Sequence, residues 1–217
     1  MSLDYISETG YAIIRMDDRK ANTMTTRWLN RFNRILDTIL EEQHHAVVIC
    51  GREGIFSAGL DTKWLANLTN SDLDELKSLF AQTMTRIYHF PIPTISVISG
   101  HAIGGGCMLA LACDKRIGIA TSQKGEHRLH MNEIQLGIPV PLWAQTIVAS
   151  RMQPTLAQDM LLFAEELTLD AAYRQKVIHG LTDNMQSAWE KAIEFAQLCR
   201  LINTESFAET KKDLQKI

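Results

Sequence analysis

The sequence predicts an α/β fold in which a partly parallel β-sheet precedes a helical C-terminal region. Residues 11–50 show an apolar strand pattern, then an amphipathic helix pattern, then a second short apolar run bounded by glycine. Strand, helix and strand in this order indicate a right-handed crossover between parallel strands. Strand patterns concentrate before about residue 135, whereas every pattern from residue 142 onward is helical. We therefore assign 1–141 to a strand-rich core and 142–217 to a helical region of the same structural domain.

The elements of the first half follow from periodicity and from the residues that interrupt it. Tyr11–Asp17 reads as a strand, and Thr25 or Thr26 can cap a helix whose apolar residues recur every three or four positions. Ala46–Cys50 is uniformly apolar, which is typical of a strand buried on both faces. The other predicted elements are a glycine-rich loop over 51–61, a short helix near Thr62, a long helix from Ser71 or Asp72 that Pro91 stops, a strand over 93–99, a helix over 107–113 and a strand over 114–120.

The second half begins with a segment that has no regular period. Residues 121–128 are polar and predict a surface loop, and residues 130–141 are irregular, with Glu133 among apolar neighbours. Helices are predicted over 142–149, 155–164, 170–178, 187–201 and 205–217.

Composition excludes several classes of function. The net charge is −3 and the basic residues are scattered, so nothing favours binding to nucleic acid. The chain shows neither a signal-peptide pattern nor an apolar run of membrane-spanning length, and we expect a cytoplasmic protein without a membrane partner. The four cysteines and seven histidines lack metal-ligand spacing, so we expect buried, reduced thiols and no metal site.

Two glycine clusters are the strongest candidates for a functional site. Gly104–Gly106 stands between a strand and a small-apolar helix, and a second cluster, Gly51–Gly59, precedes another helix. Backbone amides at a helix start are unpaired and favour an anion or a developing negative charge. If the two turns converge, they provide the two donors of an oxyanion hole. The alternative is that these glycines only allow the strand and the helix to pack closely.

Four motifs in order resemble one family. They are Lys20-Ala-Asn-Thr-Met24, Phe56-Ser-Ala-Gly-Leu-Asp61, Gly100-His-Ala-Ile-Gly-Gly-Gly-Cys107 and Cys113-Asp-Lys-Arg-Ile117. Together they resemble the crotonase superfamily of enoyl-CoA hydratases and isomerases, over residues 10–200. The resemblance implies a spiral of ββα units with a helical C-terminal region, an acyl-CoA thioester as the partner, no separate cofactor, and a homo-oligomer, either a trimer or a hexamer.

The same resemblance implies which residues form the site. The thioester oxygen would lie between the backbone amides of Leu60 and Gly105. Ala58, Gly59, Leu60 and Asp61 would lie along the path of the CoA, and Asn132 would help to position the acid or the acyl chain.

The acidic residues favour one reaction within this family. Hydratases of the family use two glutamates, and the position of the first is Met108 here, which can neither accept a proton nor orient water. The second maps onto Glu133, in a sequence closer to that of Δ3,Δ2-enoyl-CoA isomerases. An isomerase needs one base, which moves a proton from C2 to C4 of a 3-enoyl-CoA to give the 2-enoyl-CoA. We therefore predict an isomerase, with Glu133, Leu60 and Gly105 as the catalytic groups.

Alternatives remain open at this stage. The chain could be a hydratase, a decarboxylase or a thioester hydrolase of the same fold, or an acyl-CoA-binding protein without catalysis. Glu133 could simply be solvated in a turn. Among other residues, Asp114 and Arg116 are expected to pair at a strand start, and Trp143 to lie in the core or in a wall of the acyl pocket. Basic candidates for the CoA phosphates are Lys20, Arg52 and Lys63.

Overall fold

The computed structural model describes residues 3–122 and 125–215. In chain order its strands are β1 (Leu3–Glu8), β2 (Tyr11–Met16), β3 (Ala46–Cys50), β4 (Gly54–Ser57), β5 (Thr94–Ile98), β6 (Gly100–Ile103), β7 (Lys115–Ile119), β8 (Thr121–Ser122), β9 (Gly125–Glu126), β10 (Arg128–His130), β11 (Leu167–Thr168) and β12 (Gly180–Thr182). Its α-helices are α1 (Thr26–Glu41), α2 (Thr62–Leu65), α3 (Asn70–Tyr88), α4 (Gly105–Ala112), α5 (Leu142–Ala149), α6 (Pro154–Leu162), α7 (Leu169–Arg174), α8 (Met185–Leu198) and α9 (Thr204–Leu214).

A six-stranded sheet forms the centre of the molecule, in the order β1-β2-β3-β5-β7-β12. All neighbours pair in parallel except β1 and β2, which form an antiparallel hairpin. Strand β3 is buried along its whole length, with alternate side chains entering two different apolar clusters. One face therefore packs against the main core, which contains residues of α1, α3 and α4, and the other is covered by three alanines of α8.

A smaller sheet, in the order β11-β10-β6-β4, carries the segments of interest. Strands β4, β6 and β10 are parallel, with Gly54 opposite Gly100 and His130 opposite Ile103. Their carboxyl ends therefore lie at the same edge of the sheet, which is where ligands commonly bind in parallel sheets. The segments that leave this edge begin at residues 58, 104 and 131.

The predicted α/β fold class is confirmed, and several element boundaries agree closely. Helix α1 is capped by Thr25, whose side chain accepts a hydrogen bond from Trp28 N, and α5 has the predicted bounds. Helix α3 begins earlier than predicted, because Thr69 and Asp72 form a capping box at its start. All four cysteines are free and buried, as predicted.

Other predictions were wrong, mostly where strands are short. Residues 121–128 are not simply a surface loop: the hairpin β8–β9 lies there, and the His127 side chain is only 1% exposed. Strands also continue beyond residue 135, since β11 and β12 add to the two sheets. The last predicted helix ends at Leu214, and positions 216–217 of that prediction lie outside the described residues. Within the described residues, no helix is both long and apolar enough to cross a membrane.

Candidate active site

The two glycine turns meet at the edge of the small sheet. Gly59 has a φ of +77°, and a Cβ built on it would lie 2.6 Å from Gly105 N and 2.9 Å from Ile103 O. A side chain at this position would therefore collide with the other turn, so only glycine allows the two backbones to approach so closely. The sequence alone left this convergence open, and the structure shows it.

Backbone and side-chain hydrogen bonds fix the first turn. Met24 N donates to Gly59 O at 2.8 Å, and Asp61 N donates to Met24 O at 3.1 Å, so that Leu60 is held between two anchored residues. Ser57 Oγ accepts from Gly59 N at 3.1 Å and donates to the carbonyl of Asn22 at 2.7 Å. Within the described residues, the Leu60 amide donates to no protein acceptor, and it is free to donate to a ligand.

The second turn starts helix α4. Gly104 has φ +52° and ψ −123°, a conformation that is costly for any residue with a side chain, and its amide donates to His130 O at 2.7 Å. Gly105 is the first residue of α4, where an amide has no intrahelical acceptor and the helix dipole is positive. In the described part of the chain, the Gly105 amide has no protein acceptor either.

Glu133 lies against this second turn. A Cβ built on Gly104 would be 3.1 Å from Glu133 Oε1 and 3.2 Å from Asn132 Oδ1, so both side chains face the backbone next to Gly105. Glu133 Oε2 is buried and has no hydrogen-bond partner among the described residues. Burial raises the pKa of the Glu133 carboxyl, and its own backbone amide lowers that pKa to a smaller extent. The site thus holds a desolvated carboxyl against the second turn, and one of its oxygens has no partner among the described residues.

A model of the enoyl-CoA hydratase/isomerase family matches residues 7–216 of the chain. The chain belongs to the enoyl-CoA hydratase/isomerase family. This membership confirms the predicted relationship to the crotonase superfamily. An enoyl-CoA hydratase of Mycobacterium ulcerans superposes on it with a TM-score of 0.91, covering 99% of this chain and 92% of that one at 22% identity. At this identity the likeness establishes the fold alone.

Relatives in sequence include both hydratases and isomerases. Mouse mitochondrial methylglutaconyl-CoA hydratase is 29% identical over 182 residues, which are 81% of this chain and 56% of that protein. Rat mitochondrial enoyl-CoA delta isomerase 1 is 28% identical over 138 residues, which are 63% of this chain and 47% of that protein. The chain therefore spans about half the length of these curated relatives.

The predicted site residue Asp61 and the α4 residue Met108 both have structural partners of their own. The side chain of Asp61 caps α2 by accepting from Trp64 N at 3.0 Å, and it also accepts from Thr23 Oγ1 at 3.3 Å. Met108 is 3% exposed, and its amide donates to Gly104 O at 3.0 Å, one turn into α4. In this member of the family, the buried thioether of Met108 thus stands one helical turn after Gly104.

The predicted ion pair of Asp114 with Arg116 is wrong. Asp114 Oδ2 accepts instead from Lys211 Nζ at 2.8 Å, from Thr94 Oγ1 at 2.9 Å and from Thr94 N at 3.0 Å. Arg116 points to main-chain carbonyls and donates to Val177 O at 2.6 Å. Asp114 and Arg116 therefore both have structural roles, but in different contacts.

One of the basic candidates for the CoA phosphates is held by a main-chain contact. Arg52 Nε donates to the main-chain carbonyl of Lys20 at 3.1 Å, which ties this side chain to the N-terminal loop. Lys63 lies in the last turn of the short helix α2, close to the first glycine turn in sequence.

Sequence reasoning missed one aromatic residue at the site. Phe80 covers Gly105: a Cβ on that glycine would be 2.8 Å from Phe80 Cζ. Its ring contacts that of Trp143 edge-on, with centroids 5.7 Å apart. Phe80 belongs to the apolar stripe that predicted α3, but a stripe does not distinguish a ring inside the core from a ring that borders a site.

Proposed function

We propose that this chain is an enoyl-CoA isomerase that converts a 3-enoyl-CoA into the conjugated 2-enoyl-CoA. The observation that carries the proposal is the buried carboxyl of Glu133, which faces Gly104 and whose Oε2 has no partner among the described residues, as the amides of Leu60 and Gly105 have none.

The two amides account for activation of the substrate. Removing a proton from C2 of a thioester moves negative charge onto the carbonyl oxygen. Amides of Leu60 and Gly105 that point at this oxygen would stabilise the enolate, and in enzymes of this kind one such donor contributes about 3 kcal/mol to the transition state. Because the turns are fixed by hydrogen bonds, the donors need no reorganisation during the reaction.

Glu133 accounts for the proton transfer. The carboxylate takes the proton from C2, and the electron pair of that C–H bond becomes part of a dienolate over C2, C3 and C4. The resulting Glu133 carboxylic acid then returns the same proton to C4, which leaves the double bond between C2 and C3. Its raised pKa suits both halves of this exchange, because the carboxyl must accept and then release a proton.

The proposed reaction neither gains nor loses electrons overall and transfers one proton, so it needs no cofactor beyond the CoA of the substrate. Asn132 lies beside Glu133 and is proposed to position the carboxyl or the acyl chain. Ala58, Gly59 and Asp61 are proposed to line the path of the CoA. We also propose that the protein forms a homotrimer or a homohexamer and acts in the cytoplasm.

Hydration is the second candidate, because one of the relatives is a methylglutaconyl-CoA hydratase. Addition of water needs a second group to hold and orient that water, and the corresponding position on α4 is the buried Met108. The isomerase reaction needs no such group, and for this reason we favour it.

The test is turnover of a 3-enoyl-CoA and hydration of a 2-enoyl-CoA by the same preparation. We expect the wild type to isomerise, and Glu133→Gln to lower kcat by about 10³-fold, within the range for loss of a general base. Glu165→Gln, which alters an exposed carboxylate, is the matched control and should leave kcat unchanged. Equal isomerisation by the wild type and Glu133→Gln would refute the role of Glu133, and hydration without isomerisation would favour the second candidate.

A further inference from the structure

We infer that Phe80 and Trp143 form a wall on the acyl side of the site and restrict it to short acyl chains. This inference rests on the proposed acyl-CoA site and concerns its substrate class. The rings of Phe80 and Trp143 together form what we call the aromatic wall.

Phe80 stands directly over Gly105, whose amide is one of the two proposed oxyanion donors. The atoms nearest to a Cβ on Gly105 are Phe80 Cζ at 2.8 Å and Phe80 Cε2 at 3.1 Å, so the ring is in van der Waals contact with the Gly105 backbone. The residue whose amide would bind the thioester oxygen is therefore covered by this ring on the side where a side chain would project.

Trp143 braces the Phe80 ring from α5. The ring centroids are 5.7 Å apart with an interplanar angle of 67°, an edge-to-face arrangement that is favourable beyond the burial of area alone. Phe80 is 6% exposed and belongs to the main apolar core, and Trp143 packs against that core from its partly exposed position. Moving Phe80 would disturb neighbours packed at close to crystal density, so the aromatic wall is rigid.

The groups around three glycines indicate the orientation of the substrate. Glu133 approaches Gly104, Phe80 approaches Gly105, and the first turn occupies the side of Gly59. We place C2 to C4 at Glu133 and the CoA along Ala58–Asp61, so the side of Gly105 that is left for the rest of the acyl chain is the one that the aromatic wall closes. A short chain ends before the wall, whereas a long chain has to displace it.

Affinity for acyl-CoA as a function of chain length tests this inference. In an open apolar channel each buried methylene adds about fourfold to affinity, so a long chain binds far more tightly than a short one. Against a closed wall, methylenes beyond the wall add nothing to the affinity. We therefore expect hexanoyl-CoA to bind the wild type at least as tightly as dodecanoyl-CoA. Both ligands are saturated and cannot isomerise, so their binding is independent of the proposed reaction.

Two variants should open the wall. Phe80→Leu and Trp143→Ala should each raise the affinity for dodecanoyl-CoA relative to hexanoyl-CoA by about tenfold or more. Phe32→Leu is the matched control, because Phe32 is a fully buried aromatic on α1 that stacks on Trp28 at 4.8 Å, and it should leave this ratio unchanged. If Phe80→Leu does not fold, Trp143→Ala decides, since its side chain is partly exposed.

The outcomes separate this inference from the proposed function. Tighter binding of dodecanoyl-CoA than of hexanoyl-CoA by the wild type, or an unchanged ratio in the wall variants, overturns the aromatic wall whatever the reaction is. Preferential binding of the short chain without isomerisation of 3-hexenoyl-CoA supports the wall and overturns the isomerase. Failure to bind either ligand overturns both.

Discussion

Glu133 and Asp114 are both partly buried carboxylates, yet their surroundings are opposite. Asp114 Oδ2 accepts hydrogen bonds from Lys211 Nζ, Thr94 Oγ1 and Thr94 N, and Arg151 lies 4.0 Å from Asp114 Oδ1. Glu133 Oε2 has no partner among the described residues, and Oε1 faces Gly104, where a built Cβ would lie 3.1 Å from it.

The difference shows what each carboxylate contributes. Desolvation of a charge costs several kcal/mol, and good hydrogen bonds together with an opposite charge offset this cost at Asp114. At Glu133 only its own backbone amide offsets part of the cost, and Oε2 has no partner among the described residues, so its burial lowers stability and leaves this oxygen available to a substrate. Asp114 instead ties α9 to the start of β7 through its hydrogen bond from Lys211 Nζ. The same ammonium also donates to Phe90 O at 3.0 Å.

The largest effect on stability is expected from Asp114→Ala. It removes the acceptor of Lys211 and of Thr94 N and leaves a buried ammonium without its counter-charge, which should lower the free energy of unfolding by about 4 kcal/mol. Asp37→Ala is the control, because Asp37 pairs with Arg86 at a more exposed site and should cost less than about 1 kcal/mol. Denaturant unfolding measures both, and equal losses would contradict the structural role given to Asp114.

A second prediction concerns the contact between Gly104 and Glu133. In Gly104→Ala the new methyl group would meet Glu133 Oε1 at 3.1 Å, and it would also strain a residue with φ +52°. We expect kcat to fall by about 10²-fold, because displacement of a catalytic group by a fraction of an ångström to one ångström has effects of this size.

Gly10→Ala separates strain from displacement. Gly10 has a comparable φ of +88°, but a Cβ there would only touch His45 at 3.7 Å, in the β1–β2 hairpin. This variant should lose stability and keep its kcat. If both glycine variants lose the same share of kcat, the effect arises from strain and not from the position of Glu133.

The two carboxylates also differ in how far the sequence could predict them. Glu133 was singled out because the family resemblance maps a catalytic glutamate onto it, within a recognisable local sequence. The partner of Asp114 was missed because Lys211 lies 97 residues away, in a helix where the sequence pattern predicts that lysine side chains are exposed. Arg116, only two residues from Asp114, was the obvious local partner, but tertiary packing gave it the carbonyl of Val177 instead.

The small sheet shows the same limit for the fold. Strands β4, β6 and β10 have four, four and three residues, too few for a period of two to stand out from loop sequence. Their glycines marked the turns correctly, whereas the pairing that brings the turns together depends on contacts between residues far apart in the chain. Trp143 was expected in the core or in a wall of the acyl pocket, but its contact with Phe80 was not predicted, because the two residues lie on different helices.

The smallest effect is expected for the change in the free energy of unfolding caused by Glu133→Gln, which is opposite in sign to the change caused by Asp114→Ala. The folded-state pKa of Glu133 is raised, so the folded protein favours the protonated form more than the unfolded chain does. Below the unfolded pKa of about 4.3 both states are protonated, and the carboxyl does not lower the free energy of unfolding. As pH rises past this value the carboxyl lowers the free energy of unfolding more and more, until the folded carboxyl also ionises.

Glutamine mimics the neutral acid, so Glu133→Gln should raise the free energy of unfolding at neutral pH by about 1 kcal/mol, the low end of the cost of an unpaired buried polar group. At about pH 4 the two proteins should be equally stable, and paired unfolding curves at the two pH values measure the difference. Asp114→Asn should instead lose stability at neutral pH, and a stabilised Asp114→Asn or a destabilised Glu133→Gln would show that the two carboxylates do not differ as their contacts indicate.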